Sequence, residues 1–148
     1  IPVDELTAEL IIARYFFQRE LDDFTVVSAD EGFAKKARRL ADRLNAPLAI
    51  VEKRRLGNNG HTEAMGIIGN VQGRNALIVD DEIDTAGSLT QAVRVVASQG
   101  AHDIYCCATH GVFSGPALKR LSDAPIKEIV VTDSIPLPDD KRLPNMVT

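Results

Sequence analysis

A regular alternation of two kinds of segment constrains this chain most. Short apolar runs at Phe24–Ser28, Leu48–Glu52, Asn75–Val79, Ile104–Thr109 and Glu128–Thr132 are separated by longer amphipathic stretches. A strand-length run that is apolar on both faces is what a parallel sheet covered on both sides requires. Phe33–Leu44, Ser88–Gln99 and Gly115–Leu121 carry Ala, Leu, Lys and Arg at helical spacing, and Thr7–Arg19 predicts an opening helix. Spacings of about 20 residues between successive strands leave room for a helical crossover. The pattern predicts one α/β domain of three layers around a central, mostly parallel sheet. Lys53–Val71 interrupts it with a Gly57-Asn58-Asn59-Gly60 loop signal and a possible short strand at Met65–Val71. Long Gly/Asn loops in compact domains are more often functional than merely connective.

A length of 148 residues fits a single domain. The net charge of −4 argues against binding nucleic acid or an anionic membrane through bulk charge. The two cysteines, Cys106 and Cys107, are neighbours in an apolar run. Strand neighbours face opposite ways, so these two do not bridge each other, and no zinc-type spacing accompanies them. A reducing, cytoplasmic setting is expected. So is the absence of a membrane span, since the longest apolar stretch is far too short and Ile1-Pro2-Val3-Asp4 has no basic leader.

Open α/β sheets bind ligands beyond the carboxyl ends of their strands. There the chain reads Val79-Asp80-Asp81-Glu82-Ile83-Asp84-Thr85-Ala86-Gly87-Ser88. A buried strand delivers two carboxylates, and a small-residue turn then opens a helix. Backbone N–H groups, two hydroxyls and the helix N-terminus can together hold a phosphate, with Gly87 allowing close approach. Asp80 and Asp81 would repel that phosphate directly, but as charge-assisted acceptors they suit hydroxyls of a sugar attached to it. Other readings are a capped helix with Ser88 at the N-cap, a Walker B strand and a receiver-type Mg²⁺ site. The Walker reading lacks its Gly-x-x-x-x-Gly-Lys partner.

Two further strand ends carry candidates. Lys53-Arg54-Arg55 reads either as a solvated basic turn or as a pair of cations, Lys53 and Arg55, sent to one side by alternation. Such cations neutralise the charge that builds on a transferring phosphoryl group. Ser28-Ala29-Asp30-Glu31-Gly32 reads as a helix cap or as a second anion-binding turn. His61, His102 and His110 show no metal-ligand or nucleophile pairing, and His110 is expected to be structural or peripheral.

The Val79–Ser88 segment resembles the phosphoribosyl-diphosphate (PRPP) loop of type I phosphoribosyltransferase folds, in the form found in the ribose-phosphate pyrophosphokinase family. Ser28–Gly32, Lys53–Arg55, Ala108-Thr109-His110-Gly111-Val112-Phe113-Ser114-Gly115 and Val131-Thr132-Asp133-Ser134-Ile135-Pro136 resemble that family too, in its order. The resemblance implies a Rossmann-like, type I phosphoribosyltransferase-like domain corresponding to the C-terminal half of a two-domain chain, short at both ends. It implies transfer of the diphosphoryl group of ATP to the 1-hydroxyl of ribose 5-phosphate, giving PRPP and AMP. Asp80 and Asp81 would hold the ribose hydroxyls, and Asp84, Thr85, Ala86, Gly87 and Ser88 the 5-phosphate. Lys53 and Arg55 would be catalytic, Arg55 also meeting the sugar phosphate. Ser28, Ala29, Asp30, Glu31 and Gly32 would cradle the diphosphate, with Asp30 on Mg²⁺. Family members form homo-oligomers, usually hexamers. The family usually has Pro at position 29 and Gly at 33, where this chain has Ala29 and Phe33; a Phe resists a positive φ. The alternatives are a nucleobase phosphoribosyltransferase that consumes PRPP and a noncatalytic protein associated with a PRPP synthetase.

Overall fold

The computed structural model describes residues 6–19, 21–56 and 62–148, with side chains for all of these except 53–56 and 62–64. The elements run α1 (Glu9–Gln18), β1 (Phe24–Ser28), α2 (Ala34–Arg43), β2 (Leu48–Leu56), β3 (Thr62–Ile68), β4 (Asn75–Ile83), α3 (Gly87–Ser98), β5 (Ile104–Gly111), α4 (Ala117–Ser122), β6 (Glu128–Val131) and β7 (Met146–Val147). Among the described residues one sheet contains every strand, in the order β3-β2-β1-β4-β5-β6-β7, and only the β2–β3 pair at one edge is antiparallel.

Alternation along the central strands builds two cores. Val27, Ile78, Cys106 and Ile129 pack with Leu89, Val93 and Val96 of α3 and Leu121 of α4. Val26, Leu77, Val79, Tyr105, Cys107 and Val130 pack with Ile12 and Phe16 of α1 and with Ala37, Leu40 and Ala41 of α2. The result is the expected helix–sheet–helix sandwich. Cys106 and Cys107 are free thiols on opposite faces of β5. Helix α1 is tied down at its C-terminal end, where Tyr15 OH donates to Glu128 Oε1 at 2.9 Å and Arg19 pairs with the other oxygen of that buried carboxylate. No helix among the described residues is long and apolar enough to cross a membrane.

Three boundaries differ from the sequence expectation. Strand β4 does not end at Val79 but runs on to Ile83, because β5 also continues and pairs Asp80 with Ala108, Glu82 with His110 and Ile83 with Gly111. The break after Lys53 is partly strand: β2 continues to Leu56 and β3 returns antiparallel, while Val71 is buried outside any strand. Met146–Val147 adds a short parallel edge strand beside β6. The Gly57–Gly60 signal and His61 lie outside the described residues.

Candidate active site

The chain leaves β1 toward β2 on one side and returns to β4 on the other, so β1 and β4 flank the point where the strand order reverses. Ligands of open α/β sheets gather at that point. Register places the candidate segments together. Ser28 pairs with Val79, and Ala29 N–H donates to Val79 O at 3.3 Å, so the Ser28–Gly32 turn begins beside the Asp80–Asp81 segment.

Asp80 is partly buried and Asp81 exposed. The Asp81 N–H donates to Asp80 Oδ1 at 2.9 Å. Burial pushes the Asp80 carboxyl up to about 6, the charges of Asp81 and Asp30 add to the rise, and the Asp81 N–H opposes it. Asp81 is met by Lys36 of α2, Nζ to Oδ2 3.5 Å, and the same ammonium lies 5.3 Å from the centre of the Phe33 ring. These groups line a cavity of about 580 Å³ that also reaches Thr109 and His110. Ser134 Oγ donates to Thr109 O at 3.0 Å and so accepts from His110 Nδ1–H at 2.9 Å. His110 is thereby pinned in the wall of the cavity.

In the second turn, Asp30 Oδ1 accepts the Phe33 N–H at 2.8 Å and Ser28 Oγ donates to Asp30 O at 2.6 Å. Phe33 has φ −87°, so the Phe that stands where the family has Gly needs no left-handed backbone. Gly32 is not left-handed either; a Cβ there would lie 3.3 Å from Asp30 Oδ1. Asp30 and Glu31 point to solvent and Ala29 is buried.

In the Asp84–Ser88 turn the strain falls on Ala86, at φ 59° and ψ 15°, which is also the N-cap of α3. Ser88 is therefore inside the helix and not its cap. Ser114 N–H donates to Asp84 O at 3.1 Å, and Ser114 Oγ bonds the Asp84 carboxylate. Arg120 Nη1 donates to Thr85 O at 2.9 Å. The hydroxyl-bearing Thr85 and Ser88 are exposed. This turn is not part of the wall of the 580 Å³ cavity, whose lining on β4 is Val79–Glu82. Lys53 and Arg55 occupy β2 opposite Met65 and Glu63 of β3, and their side chains lie outside those described.

Sequence reasoning missed Lys36 and Arg120. Both sit on amphipathic helices where a cation reads as ordinary solvated surface, and only the packing of α2 and α4 against strand ends brings them to the site. The Asp84–Ser88 turn can present N–H groups and two hydroxyls to an anion, while Asp80 and Asp81 can accept from neutral hydroxyls.

Residues 58–145 match the family described as phosphoribosyl synthetase-associated domain. The chain is 55% identical over 144 residues to a ribose-phosphate pyrophosphokinase of Caldanaerobacter subterraneus subsp. tengcongensis, covering 97% of this chain and 45% of the relative. The fold superimposes on phosphoribosylpyrophosphate synthetase from Mycobacterium smegmatis with a TM-score of 0.90 at 35% identity, over 99% of this chain and 47% of the other. A purine phosphoribosyltransferase from Pyrococcus horikoshii shares the fold, with a TM-score of 0.58 at 23% identity over 73% of this chain and 74% of that one. The chain spans about half the length of the synthetases it matches.

Proposed function

Because the chain belongs to the phosphoribosyl synthetase-associated domain family, we propose that it forms the sugar-phosphate half of a ribose-phosphate diphosphokinase. In that reaction the β,γ-diphosphoryl group of ATP moves to the 1-hydroxyl of ribose 5-phosphate, giving PRPP and AMP. The observation that carries the reading is the continuity of β4 with the turn. The strand presents Asp80 and Asp81 immediately before Asp84–Ser88 at the start of α3.

The residues divide the work by charge. Ionised Asp80 and Asp81 accept from the ribose hydroxyls through charge-assisted bonds. The N–H groups at the start of α3, with Thr85 and Ser88, take the 5-phosphate. Lys53 and Arg55, two residues apart on β2, bring positive charge to the oxygens of the group in transfer, where catalysis is mostly positioning and neutralisation. The Ser28–Gly32 turn cradles the diphosphate.

Among the described residues no cluster of three or more His, Cys, Asp or Glu could hold a metal. Mg²⁺ is commonly held by one or two carboxylates together with substrate phosphates and waters. Asp30 is exposed, supplies hard oxygen donors, and sits close enough to Asp80 to raise its pKa. It would hold the ion, which when bound offsets phosphate charge. We further infer that the whole protein supplies the ATP-binding half, works in the cytoplasm and assembles as a homo-oligomer, with the hexamer as the expected form.

Backbone amide NMR with added ribose 5-phosphate, with and without Mg²⁺, tests the reading. Saturable shifts at residues 84–88 are expected, and they should vanish in an Asp80→Ala/Asp81→Ala variant. A well-dispersed spectrum indifferent to millimolar ligand would remove the sugar-phosphate assignment.

A further inference from the structure

Ala86 has a left-handed backbone, a conformation in which the Cβ of an L-residue is crowded. Such a conformation persists only when its surroundings over-determine it. The α3 N-cap has no side-chain cap bond to do so. On the helix side, Ala86 O accepts from Thr90 N at 3.1 Å and from Thr90 Oγ1 at 2.7 Å. On the other side the segment after β5 reaches across: Ser114 holds Asp84, and Arg120 Nη1 holds the Thr85 carbonyl at 2.9 Å.

The Arg120 contact has a directional consequence. The Thr85 carbonyl and the Ala86 N–H belong to one peptide plane, and in a trans peptide they point opposite ways. Fixing the carbonyl toward the guanidinium therefore aims the Ala86 N–H away from it. No cis peptide occurs among the described residues.

Gly87 supports the same interpretation. Its backbone is not left-handed, so conformational freedom does not explain the glycine. A Cβ at position 87 would lie 3.3 Å from Arg120 Nη1 and 3.7 Å from Thr85 Oγ1. The first approach is tight and the second is ordinary van der Waals contact. Glycine at 87 thus lets the Arg120 guanidinium sit where it does without the few tenths of an ångström of shift that a Cβ would ask of it.

We propose that Arg120 of α4 is a positioning residue for the sugar-phosphate site: by holding the Thr85 carbonyl it sets the turn so that the Ala86 N–H is presented to the phosphate. The ligand in this statement rests on the proposed function; the hold on the turn does not.

The test uses Arg120→Ala and Arg120→Lys, each with two readouts. The first is the carbonyl ¹³C shift of Thr85 and the amide shift of Ala86 in the free chain, which report the bond to that carbonyl and the setting of that peptide plane. The second is affinity for ribose 5-phosphate. Arg120→Ala should move both shifts and weaken the ligand about tenfold, the scale of one hydrogen bond from a charged group. Arg120→Lys, which keeps a charged donor for the carbonyl, should recover most of both. Unchanged shifts at Thr85 and Ala86 in Arg120→Ala, or shifts that move while affinity does not, overturn the proposal. Should Arg120→Ala fail to fold, Arg120→Met, which keeps the apolar stem and removes the donor, decides by the same two readouts. An unsubstituted chain that ignores ribose 5-phosphate defeats the functional reading instead, and the shifts still decide whether Arg120 sets the turn.

Discussion

Asp80→Asn should stabilise the folded chain at neutral pH while removing its grip on a sugar. The native carboxyl titrates near 6 against an ordinary value of 3.8, chiefly through burial and then through the charges of Asp81 and Asp30. Below about pH 3.8 the group is protonated in both folded and unfolded chains and contributes no penalty. Between there and pH 6 the unfolded chain ionises first, so the folded state loses ground; above pH 6 the deficit is constant. A shift of two units corresponds to about 3 kcal/mol at full strength. Because Asp80 keeps contact with solvent, screening reduces that to about 1 kcal/mol. Asn preserves the shape and still accepts the Asp81 N–H through its carbonyl oxygen, so the change isolates the charge. Urea unfolding followed by circular dichroism from pH 4 to pH 8 measures the difference. The variant should match the parent at pH 4, gain stability to pH 6 and hold the gain above it. A gain independent of pH, or none at pH 7, would refute the electrostatic account of this residue. Ribose 5-phosphate affinity should fall at least tenfold in the same variant, since a charged acceptor is lost.

Gly111→Ala should destabilise the chain by about 1–3 kcal/mol, the usual cost of overpacking, because the new Cβ would stand 2.5 Å from Cε2 of the buried Phe113 ring. Chemical denaturation reads the loss, and weakened ribose 5-phosphate binding should accompany it because Ser114 holds Asp84 from the next position. Lys53→Ala and Arg55→Ala in the whole enzyme should each lower kcat at least a hundredfold, the scale of a lost electrostatic stabiliser, while leaving the melting temperature within a few degrees. PRPP formation and a thermal melt check the two halves of that statement.

The central architecture was readable because parallel strands buried on both faces must be nearly all apolar, and Val26, Leu77, Ile78 and Cys106 satisfy that without regard to their neighbours. The extensions were not readable. Asp81, Glu82 and His110 carry no strand signature, and they are extended because β4 and β5 pair with each other, a property of two segments together. The turn at Asp84–Ser88 was legible as small residues opening a helix, but the approach of Arg120 to Thr85 and Gly87 was not, because it depends on where α4 packs. Phe33 looked incompatible with its turn only on the assumption of a left-handed backbone, and its φ of −87° shows that this turn does not require one. Lys36 reached Asp81 through the packing of α2, which no local pattern encodes.

The adjacent thiols of β5 turn the sandwich into its own reporter. Cys106 belongs to the layer under α3 and α4, Cys107 to the layer under α1 and α2, and burial raises the pKa of both. Neither presents a thiolate to a reagent while its layer is closed. Modification of one or the other therefore records which side of the sheet has opened, from two neighbouring residues that share a single backbone.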